Sequence, residues 1–473
     1  MPDDVHSARR RLDDADTLST LERCFRLIHE KKLSILDCSL NSNFPGSASS
    51  LRLSVTSYLA RFLKRQVFDK IKHRQTRLDH NLFDVIWPAM KKVSNERKID
   101  EDLNAGVVAP DFDVFVVFQE FFVPLIKDMH CLGLKQNFKE HPPMEYFPPY
   151  IVHENEDIER REDQIEIEPN KPQDIHLNID THVKWVTSGI VECSRNLDEF
   201  ELPLNLTYGK LEQSERVLTG KLLSNEFSKA INEEGLGQYY TMNEVLEHKS
   251  EIRTVLATNG LLIPLLDHND AQQNPESLAI NGQYYPYGRG VFISSSREFV
   301  AWINVQEHLR VMCCTPFSAP ADIGMAYSKV GKAMLFLEKQ IAFRHSYFLG
   351  YLSSRPSFLG TSLRLTLTLE LPHLVKDREN LRQLCIVRGL HMKTRPNFDS
   401  IRVSNIKCMS LTEWKLFQDF CGAVSNILQL EKDLSMSNSL HIAEMLLSIF
   451  RKKKNSLANT PTNTTTDNIN NNL

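Results

Sequence analysis

The run Ala301–Val311 is where this chain gathers polar groups inside an otherwise apolar stretch. Ala301-Trp302-Ile303 breaks into Asn304, Gln306, Glu307 and His308, and then returns to Leu309-Arg310-Val311. Two amides, a carboxylate and an imidazole within five residues supply hydrogen-bond donors, acceptors and a titratable ring. The nine cysteines do not add a metal site: they are scattered, only Cys313 and Cys314 are adjacent, and no pair has short zinc-ligand spacing. We read them as reduced, buried thiols. A net charge of −4 gives no overall basic field, so neither nucleic acid nor a membrane surface is an expected partner.

The elements that must position the polar cluster follow from periodicity. Residues 1–50 hold one amphipathic stretch, Leu18 to Leu33, followed by a loop-like Asn41–Ser50, and read as an appended helix and linker. Residues 51–141 have helical patterning, with Pro88 stopping one apolar run and Pro110-Asp111 starting another, and predict a small all-helical domain. Prolines at 142, 143, 148, 149, 169 and 172 bracket an acidic run from Glu154 to Glu168, which predicts a solvated linker over 142–178. From 179 to 450 short β-rich runs alternate with helices, and Leu363–Leu369 alternates apolar with polar residues. That pattern predicts an α+β domain with an antiparallel sheet flanked by helices. Residues 451–473, basic and then Asn/Thr-rich, predict a disordered tail. Acids at 3, 4, 13, 14 and 16 and the lack of a long apolar run lead us to expect a cytoplasmic chain.

Several segments, taken in order, resemble the phosphagen kinases, the ATP:guanidino phosphotransferase family, and are most similar to arginine kinases. They include Arg65–Ile71, Gly106–Asp111, Phe122–His130, Tyr285–Phe292, Trp302–Arg310, Pro356–Thr361, Val387–Gly389 and Val403–Asn405. The resemblance spans about residues 55–432 and implies a helical N-terminal domain with an α+β catalytic-type domain. It also implies transfer of the ATP γ-phosphoryl to a guanidino substrate with Mg2+, so ATP or ADP is the implied cofactor. Catalysis of this kind rests on positioning and charge: arginines around the phosphates, carboxylates on the guanidinium, a reactive cysteine and a closing loop.

Carried onto this sequence, Arg310, Arg364 and Arg388 stand at phosphate-binding arginine positions. The family's first two arginines are expected at Gly189 and Val191, where both are lost. Histidines expected beside the nucleotide are Ile293 and Thr368. The substrate carboxylate is Gln306, an amide without charge, and Glu307 is not expected to replace it because neighbours along a strand point to opposite faces. The reactive cysteine is Arg355, a fixed cation. In the loop Leu390–Asp399, Lys393 stands where a second substrate glutamate is expected, and the small-domain substrate loop keeps Gly106 but has Val108 for a tyrosine. His308 reads as a hydrogen-bonded structural residue, since the implied reaction needs no base there. These substitutions lead us to expect an inactive or strongly impaired family member acting as a binding or regulatory pseudokinase. Its expected partners are a nucleotide, a second copy of itself or an active family member. The alternative is an active kinase for arginine or another guanidino compound.

Overall fold

A helical lobe is built first along the chain, because its apolar residues recur at helical spacing. The structure, a computed structural model, describes residues 17–26, 28–29, 58–86, 107–151, 167–181, 184–263, 282, 284–394 and 400–435. The helical lobe contains α1 (residues 17–26), α2 (Arg65–Ile71) and α3 (Gln119–Met129). Leu21 and Cys24 of α1 are buried in the same cluster as Phe68, Phe121, Phe122 and Leu125, so the appended helix is part of the lobe's core. Arg65 ties it down further, with its guanidinium bidentate on Glu22 at 2.9 and 3.0 Å.

The second lobe is organised by an eight-stranded antiparallel sheet. Its strands are β1 (Val186–Arg195), β2 (Gln238–Thr241), β3 (Gly290–Ile293), β4 (Phe299–Val305), β5 (Glu307–Cys314), β6 (Leu363–Glu370), β7 (Leu390–Thr394) and β8 (Ser400–Asn405). The spatial order is β7-β8-β6-β1-β5-β4-β3-β2. Between them run α4 (Tyr208–Leu222), α5 (Met242–Leu246), α6 (Glu251–Thr258), α7 (Ile323–Glu338), α8 (Arg378–Val387) and α9 (Glu413–Ser435). The antiparallel sheet with flanking helices is the architecture expected from the sequence, and Leu363–Glu370 alternates as its pattern requires.

Residues directly opposite one another in an antiparallel sheet share a face. On the core face Val191, Cys193, Leu309, Val311, Leu365 and Leu367 pack with Ile323, Ala326 and Val330 of α7 and Phe417 and Val424 of α9. On the other face α5, α6 and the chain after them cover β3 to β5: Ile190, Ile293, Val300, Trp302 and Met312 cluster with Met242, Val245, Leu256 and Leu261. What remains of that second face, along the middle of β1, β5 and β6, carries the charged residues discussed below.

The segment expected as a linker is not wholly solvated. Tyr146 and Phe147 are fully buried in the large core, and Tyr150–Ile151 pairs with Ile167–Glu168 as a two-stranded ribbon. Most of the acidic run, residues 436–450, Gly106 and the tail from 451 lie outside the described residues. The lobes meet tightly: Leu359 and Met409 of the large lobe belong to the helical core, and the ring of His130 bonds Pro356 O (2.9 Å) and Cys408 N (3.2 Å).

Candidate functional site

Strands β4 and β5 are joined through a single residue, Gln306, with Val305 opposite Glu307. The turn forces left-handed backbone at Asn304 (φ +56°) and Gln306 (φ +68°), a conformation that costs an L-residue roughly 1–2 kcal/mol. Asn304 tolerates it because its amide is pinned to Gly288 O (2.8 Å), Leu211 O (3.2 Å) and Ser214 Oγ (3.0 Å). Gln306 is half-buried, and its side chain makes no hydrogen bond to a described residue.

The bend also voids the alternation expected along an extended strand. Glu307 turns inward, is fully buried, and accepts from Ser353 Oγ (2.7 Å), Ser354 N (3.0 Å), Ser354 Oγ (2.6 Å) and Asn196 Nδ2 (2.5 Å). Asn196 turns its carbonyl oxygen to His308, receiving the backbone N–H and Nδ1 at 3.0 Å each. Burial, reinforced by the charge of Arg344, lowers the His308 pKa to about 3. The ring is therefore neutral at physiological pH and bonded in place, which suits a structural residue better than a base that cycles its proton.

The loop gripped by Glu307 ends in Arg355, whose side chain is 2% exposed. Its Nε lies 3.7 Å from Glu307 Oε1, and its Nη2 lies 3.3 Å from Glu192 Oε1 and 2.9 Å from Ser194 Oγ. Glu192 in turn sits 2.6 Å from Arg310 Nε on the neighbouring strand. The four residues form a buried chain of alternating charge, Arg310, Glu192, Arg355 and Glu307. Arg364 stands directly opposite Glu192 across β6, and its guanidinium lies 4.3 Å from the ring of Phe358, which Arg355 also covers at 3.7 Å.

The structure thus brings Arg310, Arg355, Arg364, Glu307 and the neighbouring Gln306 turn into one region. It corrects the placement of the two lost arginine positions. Gly189 and Val191 face the hydrophobic core: a Cβ on Gly189 would lie 2.8 Å from Thr315 Cγ2 and 2.9 Å from Ile323 Cδ1, and Val191 is wholly buried beside α7. Strand pleating forbids them from sharing a face with Arg310 and Arg364. The residues of β1 that do share it are Ser188, Ile190, Glu192 and Ser194, by the pairings of Glu192 with Met312 and Arg364 and of Ser194 with Arg310.

Arg388 is not drawn into the charge chain. It caps the end of α8, ahead of the edge strand β7, and pairs with no carboxylate among the described residues. Lys393 lies on β7 opposite Arg402, because Leu390–Thr394 forms a regular ladder with β8 rather than an open loop. Val108 is at the lobe boundary: its N–H bonds Val85 O, and that of Ala109 bonds Ser354 O at 2.7 Å, so this segment abuts the Arg355 loop. Ile293 lies within the apolar cluster under α5 and α6, and Thr368 accepts a hydrogen bond from Ser188 Oγ (3.0 Å).

These surroundings do not fit the nucleotide that the resemblance implies. Glu192 already pairs with Arg310, and Ile190 and Ile293 offer hydrocarbon rather than polar groups. Among the described residues no group of three or more His, Cys, Asp or Glu is arranged to hold a metal ion.

Comparison with known proteins agrees with the fold. Residues 54–127 match the ATP:guanido phosphotransferase N-terminal domain, and residues 219–434 match its C-terminal catalytic domain. An arginine kinase of Penaeus vannamei is 26% identical over 386 residues, covering 80% of this chain and 93% of its own, and one of Procambarus clarkii is 25% identical over 387 residues. Among solved structures, the duplicated taurocyamine kinase of Schistosoma mansoni aligns with a TM-score of 0.60 at 21% identity, over 81% of this chain. The chain spans about half of that duplicated protein, 47% of its length. A lombricine kinase aligns with a TM-score of 0.56 at 18% identity, over 80% of this chain and 93% of its own. With both domains matched over more than half of its length, the chain belongs to the ATP:guanido phosphotransferase family, the phosphagen kinases, and is similar to arginine kinases.

Proposed function

We propose that this chain is a catalytically silent phosphagen kinase homologue that works as a binding or regulatory protein, in the cytoplasm, by self-association or by pairing with an active family member. The observation that carries the reading is Arg355. Its guanidinium fills the space between Glu307 and Glu192, so the chain supplies its own cation where a guanidino substrate would bring one. A guanidino substrate brought there would find the space filled and both carboxylates already in contact with Arg355. Among the described residues of the site no free carboxylate offsets this: Glu307 is held by four donors, and Gln306 carries no charge.

The competing reading, an active kinase of altered guanidino specificity, draws on the retention of Arg310 and Arg364 on the site face. A coupled phosphotransfer assay with Mg-ATP and a panel of arginine, creatine, taurocyamine and lombricine separates the two. We expect no turnover above the protein-free rate. Turnover that disappears in Arg364→Ala would overturn the silent reading.

A further inference from the structure

From the placement of one carboxylate we infer that Glu192 is a built-in ligand for the arginines of the site face, and that it bars polyphosphate anions, nucleotides included, from them. Its carboxylate lies 2.6 Å from Arg310 Nε and 3.3 Å from Arg355 Nη2, and it stands opposite Arg364 in the β1–β6 register. An anion approaching these guanidinium groups meets a negative charge already in contact with two of them. Glu192 has no route out of the way. It sits in the middle of β1, hydrogen-bonded on both sides to β5 and β6, and only 7% of the residue is exposed. A tethered carboxylate also competes without the translational cost that a free anion must meet, so millimolar phosphate does not displace it.

The same geometry explains why the carboxylate is tolerated. Burying one charge beside three cations requires counter-charge, and the alternation Arg310, Glu192, Arg355, Glu307 supplies it in pairs. Glu192 thereby sets the ligand class of this face: it neutralises a cluster that would otherwise attract anions. This carries the silent reading to the nucleotide side without depending on it. Binding without turnover would refute only this inference, whereas turnover would refute both.

The test is a thermal-unfolding titration of the full chain with inorganic pyrophosphate and with Mg-ADP, at ionic strength matched by chloride. The proteins are the wild type, Glu192→Gln, and the double variant Glu192→Gln, Arg310→Gln. The wild type should show no saturable rise in Tm with either probe. Glu192→Gln, which removes that counter-charge from the cluster, should melt at a lower temperature in chloride and be raised saturably by pyrophosphate or Mg-ADP, with an apparent affinity at least about tenfold above the wild type. The double variant should lose that response. If Glu192→Gln does not stay folded on purification, refolding yield in pyrophosphate against matched chloride is the readout, and a higher yield in pyrophosphate is expected. Wild type that binds either probe as tightly as the variant, a variant that responds no better than wild type, or refolding indifferent to pyrophosphate would each overturn the assignment.

Discussion

Arg355 shows how one side chain changes what a loop can do. Its contacts with Glu307, Glu192 and Ser194 and its stacking on Phe358 tie the loop that carries it to the sheet. Removing one partner from a buried ionic network strands the others, so Arg355→Met should destabilise the protein by about 3–5 kcal/mol in urea unfolding. A change below about 1 kcal/mol would show that the network carries little weight. Gln306, by contrast, is half-buried at the tip of a hairpin and bonded to no described side chain. Gln306→Glu should shift stability by no more than about 0.5 kcal/mol, and phosphotransfer should stay at background because Arg355 and Glu192 remain.

The elements divide into those legible in sequence and one that was not. Strand Leu363–Glu370 announced itself through alternation, and the polar break at Asn304–His308 falls at the turn between two strands. Strand β1 did not, because Thr187, Ser188, Gly189, Glu192 and Ser194 interrupt any apolar run along it. With β1 unread, its register was unknown, so the expectation of lost arginines at Gly189 and Val191 carried no information on which face those residues take. The signal that could have found Glu192 was a lone charge between Val191 and Cys193, two residues of a buried face. The corrected register makes a direct prediction: Gly189→Ala puts a methyl within 3.0 Å of three side-chain carbons and should cost about 1–3 kcal/mol by overpacking, measured by thermal unfolding. In the helical lobe, Leu21→Ala should cost about 2–5 kcal/mol, since α1 is core rather than appendage.

At the scale of the whole molecule, His308, His130 and Glu413 are among the buried groups that tie stability to pH. His308 and His130 have pKa values lowered by burial to about 3 and about 4, so the unfolded chain binds two more protons as pH falls below 6.5, and stability is lost in that direction. Glu413, raised to about 7 mainly by burial and only partly offset by Arg195, acts oppositely, because its folded form takes up a proton before its unfolded form. From pH 7 to pH 5 each histidine removes about 2 kcal/mol while Glu413 returns about 2, for a net loss of about 2 kcal/mol from these groups. Glu413→Gln should steepen the loss toward about 4 kcal/mol in urea titrations at the two pH values, and an unchanged slope would show that Glu413 does not titrate in this window. The chain of Arg310, Glu192, Arg355 and Glu307 also bears on the protein's history. Changing Glu192 alone or Arg355 alone strands a buried charge, so the two positions are epistatic and a lineage that has acquired both must cross an unstable intermediate to lose either. The charge chain therefore acts as a ratchet: mutation can readily vary the surface around it, but a single change at Glu192 or Arg355 loses stability that a paired substitution would spare.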